Sequence, residues 1–421
     1  MSIKLESLLK RIEKLHPKYI DLSLNRINNL LEKLDNPHLN LPPTIHIAGT
    51  NGKGSTLSYI YNILKKNGYI SHCYTSPHLK AFEERFIISN KQINEKELID
   101  TLKYVLRINN NNKITFFELT TAAAFLIFSK KKSDFLILET GLGGRLDATN
   151  TIHESLIDIF VPISLDHQEF LGNNVYKITK EKLGIIKQKS IIIVGKQKPN
   201  VMRFIENKIK ILNNKKIFYG KNFYISDKKN SYFCLNYKNK KINLNNPGLL
   251  GNHQIENAAT AIITVIELNN MGYKMKKDLI NKGLSQTFWP GRLEKRYLKN
   301  IPIYLDGAHN KAGAEQINIF FKNQKLNRWL ILGMLNNKDL RSYLLKVKKT
   351  FSGIIAIKIP GEKNSFSPED INKICRKINI KCINKRNIKE ANIYLLNKII
   401  PDEIVVSGSL YLVGKVRELY S

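Results

Sequence analysis

Apolar residues fall along this chain in two alternating textures. Some form short unbroken runs, and others recur every third or fourth position over longer stretches. Unbroken runs suit strands buried on both faces, whereas the wider spacing suits helices with one apolar stripe. Leu5, Leu8, Leu9, Ile12 and Leu15 predict an amphipathic first helix. Thr44-Ile45-His46-Ile47-Ala48 predicts a strand entering a Gly-rich turn. Leu57, Ile60, Tyr61 and Leu64 predict a helix from Lys53 that stops at Asn67-Gly68. Residues 135–139 and 157–163 read as buried strands, each leading into polar, chemically capable residues. From about Ile191 to Leu244 the pattern shortens into alternating strands, so a small β-rich addition is expected there. Asn257-Ala258-Ala259-Thr260-Ala261 opens another helical stretch, and Trp289-Pro290-Gly291-Arg292 interrupts the pattern. Beyond it, strands are expected near 303–305, 329–332, 354–357 and 404–406.

Alternating strands and helices predict an α/β fold with mainly parallel sheets. The expected arrangement is a P-loop-type domain over residues 1–291, carrying the β-rich addition, then a smaller Rossmann-like α/β domain over 292–421. A chain of 421 residues is long enough for two such cores.

Composition changes this picture little. Hydrophobic residues make up 43% and charged residues 24%, ordinary values for a soluble globular chain. No apolar run is long enough to span a bilayer, and the first residues lack a secretory pattern, so no membrane association is expected. The four cysteines, Cys73, Cys234, Cys375 and Cys382, show no metal-type or redox-type spacing; reduced thiols and a cytoplasmic location are the simplest reading. A net charge of +33 raises the question of nucleic acid. Yet Lys, Asn and Ile are inflated together, as in residues 109–113 and 130–132, and the lysines are spread from end to end. A dedicated binder concentrates its charge on one stripe with Arg and aromatics, so a solvated surface is the better reading and no nucleic-acid partner is expected. A field favouring anionic substrates follows from the same charge.

The most informative segment is 49–56, Gly49-Thr50-Asn51-Gly52-Lys53-Gly54-Ser55-Thr56, between a strand and a helix. Glycines let backbone N–H groups turn inward on phosphate oxygens, and the helix presents its positive end. Lys53 would reach the outer phosphates of ATP, and a hydroxyl from Ser55 or Thr56 could touch the metal ion. The spacing departs from the common P-loop, because Gly54 stands directly after the lysine.

That wording resembles the loop of the Mur ligase superfamily, in particular its folylpolyglutamate synthase and dihydrofolate synthase branch. The likeness continues through Thr75-Ser76-Pro77-His78-Leu79 and the long signature Glu139 to Asn150, then Leu165-Asp166-His167 and Glu181-Lys182-Leu183-Gly184-Ile185. Asn257-Ala258-Ala259, Pro290-Gly291-Arg292, Leu305 to Asn310 and Gly408-Ser409-Leu410 complete it in the same order.

The resemblance implies an ATP-dependent, magnesium-requiring ligase, and it implies roles for matching positions. Gly49, Thr50, Asn51, Gly52, Lys53, Gly54 and Ser55 would bind ATP with Asn257 at the adenine, Arg292 at the phosphates and Asp306 at a ribose hydroxyl. Ser76, Glu139 and His167 would hold two magnesium ions. In the family the lysine matching Lys182 is carbamylated, which turns a cation into a carboxylate near the second metal; here Leu183 replaces the more usual alanine. His309 and Ser409 would hold the incoming amino acid. The acyl substrate would lie by Leu22, Ser23 and Leu24, by Thr115, Phe116, Phe117 and Glu118, and by Leu146, Asp147 and Ala148. Two adjacent phenylalanines taken alone are more often core; the resemblance makes them a flat-ring platform.

The expected reaction transfers the γ-phosphate of ATP to a carboxylate and lets the amino group of glutamate attack the acyl phosphate, with Lys53, Lys182 and His167 central. The expected substrates are ATP, L-glutamate and dihydropteroate or a reduced folate, handled by a monomer. Alternatives are a polyglutamate-only enzyme, a peptidoglycan-type ligase and a P-loop NTPase acting on nucleic acid. The peptidoglycan reading is disfavoured because no separate domain precedes the phosphate loop, and the last would show steep salt-dependent binding.

Overall fold

The computed structural model describes residues 2–18, 20–229, 231–322 and 326–421. Backbone contacts divide the chain into two compact units. One comprises residues 1–164, 168–248 and 255–287, and the other 165–167, 249–254 and 288–421.

The first unit is built on an eight-stranded sheet. Its strands are β1 (Thr44–Ala48), β2 (Ser71–Tyr74), β3 (Phe86–Ile88), β4 (Lys91–Gln92), β5 (Phe135–Glu139), β6 (Ile157–Phe160), β7 (Ile191–Val194) and β8 (Lys216–Phe218). Their spatial order is β4-β3-β2-β5-β1-β6-β7-β8. All pairs are parallel except β2–β3 and β3–β4. β1 and β5 are buried throughout because helices cover both faces, which is why β5 is apolar without alternation up to Glu139.

On one face, helices Ile3–Glu13, Asn25–Lys33, Glu95–Asn109 and Phe116–Lys130 enclose a core from Leu5 to Ile152. Farther along the same face, Ala48, Phe160 and Val194 pack with Ile205, Leu171 and Ile178. Leu5, Leu8, Leu9 and Ile12 are buried as their spacing predicts; each such side chain contributes about 1.5–3 kcal/mol. Leu15 lies beyond the helix but packs on the same core.

Two expectations are corrected. Residues 191–218 are not part of a β-rich addition; β7, helix Pro199–Ile209 and β8 extend the parallel sheet. The antiparallel addition is β9 (Phe223–Lys228), β10 (Tyr232–Tyr237) and β11 (Lys240–Asn245). Buried Glu267, on helix Asn252–Asn270, ties it down by accepting from Tyr237 Oη at 2.6 Å and pairing with Lys215 and Lys238. The second correction is β6, which ends at Phe160 rather than Ile163. Pro162 has no N–H to continue a ladder, and its carbonyl instead accepts from Thr50 and Asn51 at 2.9 and 3.2 Å.

The second unit carries a six-stranded sheet of β12 (Glu294–Leu298), β13 (Ile301–Leu305), β14 (Arg328–Leu332), β15 (Gly353–Ala356), β16 (Cys382–Asn384) and β17 (Glu403–Ser407). The order is β12-β13-β17-β14-β15-β16, parallel except at β12. Buried Arg328 is neutralised there by Glu403, its Nε donating at 2.7 Å.

Candidate active site

The carboxyl ends of β1, β5, β2 and β6 lie side by side at the centre of the first sheet, where the order of strands reverses; open parallel sheets bind ligands at such places. β1 feeds the turn 49–52, and the Lys53–Lys66 helix begins at once. Gly52 has φ of 95°, a left-handed conformation, and a Cβ there would stand 2.6 Å from Asn257 Oδ1. Glycine is therefore needed twice over. Thr50 Oγ1 donates to the Ser164 carbonyl and accepts from the Ser164 N–H, both at 3.0 Å, which locks the turn onto the segment after β6.

Lys53 Nζ donates to the Gly49 carbonyl at 3.3 Å and lies 3.9 Å from Glu139 Oε1. Glu139 ends β5 and is buried, and its Oε2 accepts from the Ser76 N–H at 3.3 Å. Among the described residues no three His, Cys, Asp or Glu side chains converge on one point. A closed protein cage of the calcium or zinc kind is thus not formed. One buried carboxylate and one serine beside a phosphate loop nevertheless suit magnesium, which keeps waters and takes phosphate oxygens. Ser55 and Thr56 are both buried in the helix's first turn, and the Thr56 hydroxyl is sealed without a partner.

Lys182, on helix Val175–Leu183, is buried and donates from Nζ to the same Gly49 carbonyl at 2.8 Å. It is no surface lysine. Its position is set by close backbone approach: a Cβ on Gly144 would stand 2.8 Å from Lys182 Cα and 2.6 Å from the Glu181 carbonyl. Asp147 is buried too. Leu142 N–H, Thr149 N–H and Thr149 Oγ1 donate to its carboxylate at 2.6, 3.0 and 2.6 Å, and His46 on β1 bonds Thr149 Oγ1 at 2.9 Å. Burial pushes the Asp147 carboxyl up, against these bonds and the nearby Lys182 charge. Burial drives His46 down to about 3, so its ring is neutral.

The segments expected at the acyl substrate meet in the first unit. Thr115 and Glu118 cap the Phe116–Lys130 helix reciprocally, and Arg26 Nε reaches Glu118 Oε2 at 3.0 Å while Nη1 holds Asp21 at 3.2 Å. Leu22 and Leu24 are half-buried, and Ser23 Oγ accepts from the Asn25 N–H. Phe116 is largely core. Phe117 stacks on Tyr74 at 5.9 Å, and its ring would collide at 2.5 Å with a Cβ on Gly141. Leu146 is half-buried and Ala148 buried beside Asp147.

In the second unit, Asp306 turns its carboxylate onto the Leu293 and Ala308 N–H groups at 2.9 and 2.8 Å. Arg292 Nη1 donates to the Gly291 carbonyl at 3.1 Å. His167 lies in the segment after β6, following Asp166, with φ of 50°. Asp166 gathers Lys338 Nζ at 2.7 Å, Asn310 Nδ2 at 3.0 Å and His309 Nε2 at 3.3 Å. Burial works to raise this carboxyl, but the bond and charge of His309, with Lys338 and His167, hold it well below the usual carboxylate range. The Ser409 hydroxyl caps helix Leu410–Val416 by accepting from Tyr411 N–H at 3.1 Å. Sequence reading missed Lys338 and His46; a lone Lys or His carries no signal until its partners are known.

Comparison with known proteins agrees with this geometry. The chain matches the family described as Mur ligase middle domain over residues 47–265 and that described as dihydrofolate synthetase, C-terminal domain, over 292–419. It is 34% identical to a protein of Schizosaccharomyces pombe named "Probable dihydrofolate synthetase", over 94% of this chain and 97% of the relative. It is 29% identical to the dihydrofolate synthase/folylpolyglutamate synthase of Bacillus subtilis, over 94% of each. The structure of Escherichia coli FolC in complex with DHPP and ADP superposes with a TM-score of 0.86 at 26% identity, covering 99% of this chain and 97% of that one.

Proposed function

Since the chain belongs to the dihydrofolate synthase/folylpolyglutamate synthase family of ATP-dependent ligases, we propose that it joins L-glutamate to dihydropteroate and to reduced folates through an acyl phosphate. The observation that carries this reading is the convergence of Lys53, Glu139, Ser76 and Lys182 around one phosphate-type turn.

Lys53 would move from the Gly49 carbonyl onto the outer phosphates, with the N–H groups of residues 50–55 cradling them. Glu139 and Ser76 would hold magnesium, which neutralises charge growing on the transferred group. Lys182 is assigned the carbamylated role, since buried placement beside the turn supports it. Arg26 would keep the Asp21–Leu24 segment against Thr115–Glu118, with Phe117 and Leu146 offering flat apolar surface to the pterin. In the second unit His309, Ser409 and Lys338 would offer polar groups to glutamate, and in the first Asn257, beside Gly52, would serve the nucleotide. Positioning and electrostatic stabilisation account for the chemistry this chain supplies.

The test is ADP release with glutamate, offering dihydropteroate or a reduced folate monoglutamate. Release with both is expected. Activity with the folate alone would reduce the assignment to a polyglutamate synthase, and activity with neither would defeat it.

A further inference from the structure

Arg85 ends the short helical turn Phe82–Arg85 and leads into β3, and it is only 5% exposed. Its Nε donates to His78 Nδ1 at 3.0 Å, and its guanidinium lies over the rings of Phe82 at 5.0 Å and Phe116 at 5.8 Å. Among the described residues no carboxylate comes within ion-pair distance of it, and Nη1 and Nη2 have no protein acceptor. Its acidic neighbours do not pair with it. Glu84 accepts from the N–H groups of Leu79, Lys80 and Ala81 at 2.8 to 3.2 Å. Glu83 is buried, with Oε2 sealed without a partner.

The fold does not treat its other enclosed arginine this way: Arg328, at 1% exposure, is paired with Glu403. Taking a lone guanidinium out of water costs more than stacking on aromatic rings returns. Ring contacts alone therefore leave Arg85 undercompensated. With Nε–H spent on a neutral imidazole acceptor, the remaining Nη1–Nη2 edge is a fork of the shape that grips a carboxylate with two parallel bonds. Its surroundings match such a ligand. Phe116 belongs to the acyl-substrate segment, and His78 lies two residues past Ser76, whose N–H bonds Glu139.

We propose that Arg85 is a substrate-binding residue that captures a carboxylate of the acyl substrate, with His78 orienting its guanidinium. The proposal rests on the reading that this chain ligates pteroate-type acids. Dihydropteroate carries one carboxylate and a folate monoglutamate two, so the anion is either the reacting group, common to both, or the second carboxylate of the glutamate tail.

The experiment compares wild type, Arg85→Met and Arg85→Lys in the ADP-release assay, with melting temperatures of the ligand-free proteins. Wild-type release with an acyl substrate keeps the parent reading standing and lets the Arg85 result be judged alone. Arg85→Met is expected to raise the acyl-substrate KM about 10- to 100-fold, the scale of a lost charged hydrogen bond, with the KM for ATP unchanged. Its melting temperature should not fall, because the variant loses an unneutralised buried charge. Arg85→Lys, keeping charge but not the fork, should recover only part. Loss with both acyl substrates assigns the reacting carboxylate, and loss with the folate alone assigns the tail. An unchanged acyl-substrate KM in Arg85→Met would overturn the proposal. So would a drop in melting temperature with equal losses for ATP and acyl substrate, the mark of an architectural arginine. If Arg85→Met does not fold, the lysine variant decides: a raised acyl-substrate KM at unchanged melting temperature supports the proposal, and an unchanged KM sinks it.

Discussion

Lys182 shows how far a residue's meaning depends on its surroundings. In a chain with 68 basic residues one more lysine is unremarkable, yet this one is buried with its ammonium on the Gly49 carbonyl. Lys182→Ala should abolish ADP release, and Lys182→Arg should not rescue it, because arginine keeps a fixed positive charge and cannot form a carbamate. Full activity in either variant would remove Lys182 from the mechanism. The motif residues around it were legible as letters, since Gly-rich turns and strand-end carboxylates announce themselves. Arg85 and Lys338 were not legible. Their interest lies in which partners they have or lack, and sequence spacing does not encode that.

Among elements, β6 and β7 are stitched together by a carboxylate the chemistry does not use. Asp158 on β6 accepts from Ser190 Oγ and Lys187 N–H at 2.7 and 2.9 Å, and from Ser155 Oγ at 2.7 Å. Burial nevertheless pushes it up to about 6. A carboxyl raised in the folded state adds stability that is fully present below its unfolded value near 3.9 and is lost as pH rises through about 6. The two-unit difference corresponds to about 3 kcal/mol. Melting temperature should therefore carry a falling component between pH 4 and 7 that Asp158→Asn lacks; parallel pH profiles for the two proteins would refute this.

Element prediction succeeded where one force dominated. β5 is apolar up to Glu139 because both faces are covered. β2, Ser71-His72-Cys73-Tyr74, has no apolar run to mark it, and tertiary partners hold its histidine: His72 stacks on Phe128 and bonds the Lys131 carbonyl. The apolar run Ile191–Val194 was misplaced for a related reason, since isoleucine runs look alike in an edge addition and a parallel sheet.

For the whole molecule, a charge of +33 meets substrates that are all anionic in the proposed reaction. Long-range attraction of this kind is screened within about 10 Å at 0.1 M salt. Raising ionic strength should lower kcat/KM for the folate several-fold while leaving kcat unchanged; a flat kcat/KM would mean that the lysines serve solubility alone.

The chain passes between its two units several times rather than once, lending residues 165–167 and 249–254 to the second from within the span of the first. A fragment cut at the apparent linker would carry Lys338, His309 and Asn310 but leave behind Asp166, the anion they surround. The smaller lobe is therefore not a detachable module: severing it strands Lys338 without its carboxylate, and gene fusions or swaps at that junction must import both loaned segments as well.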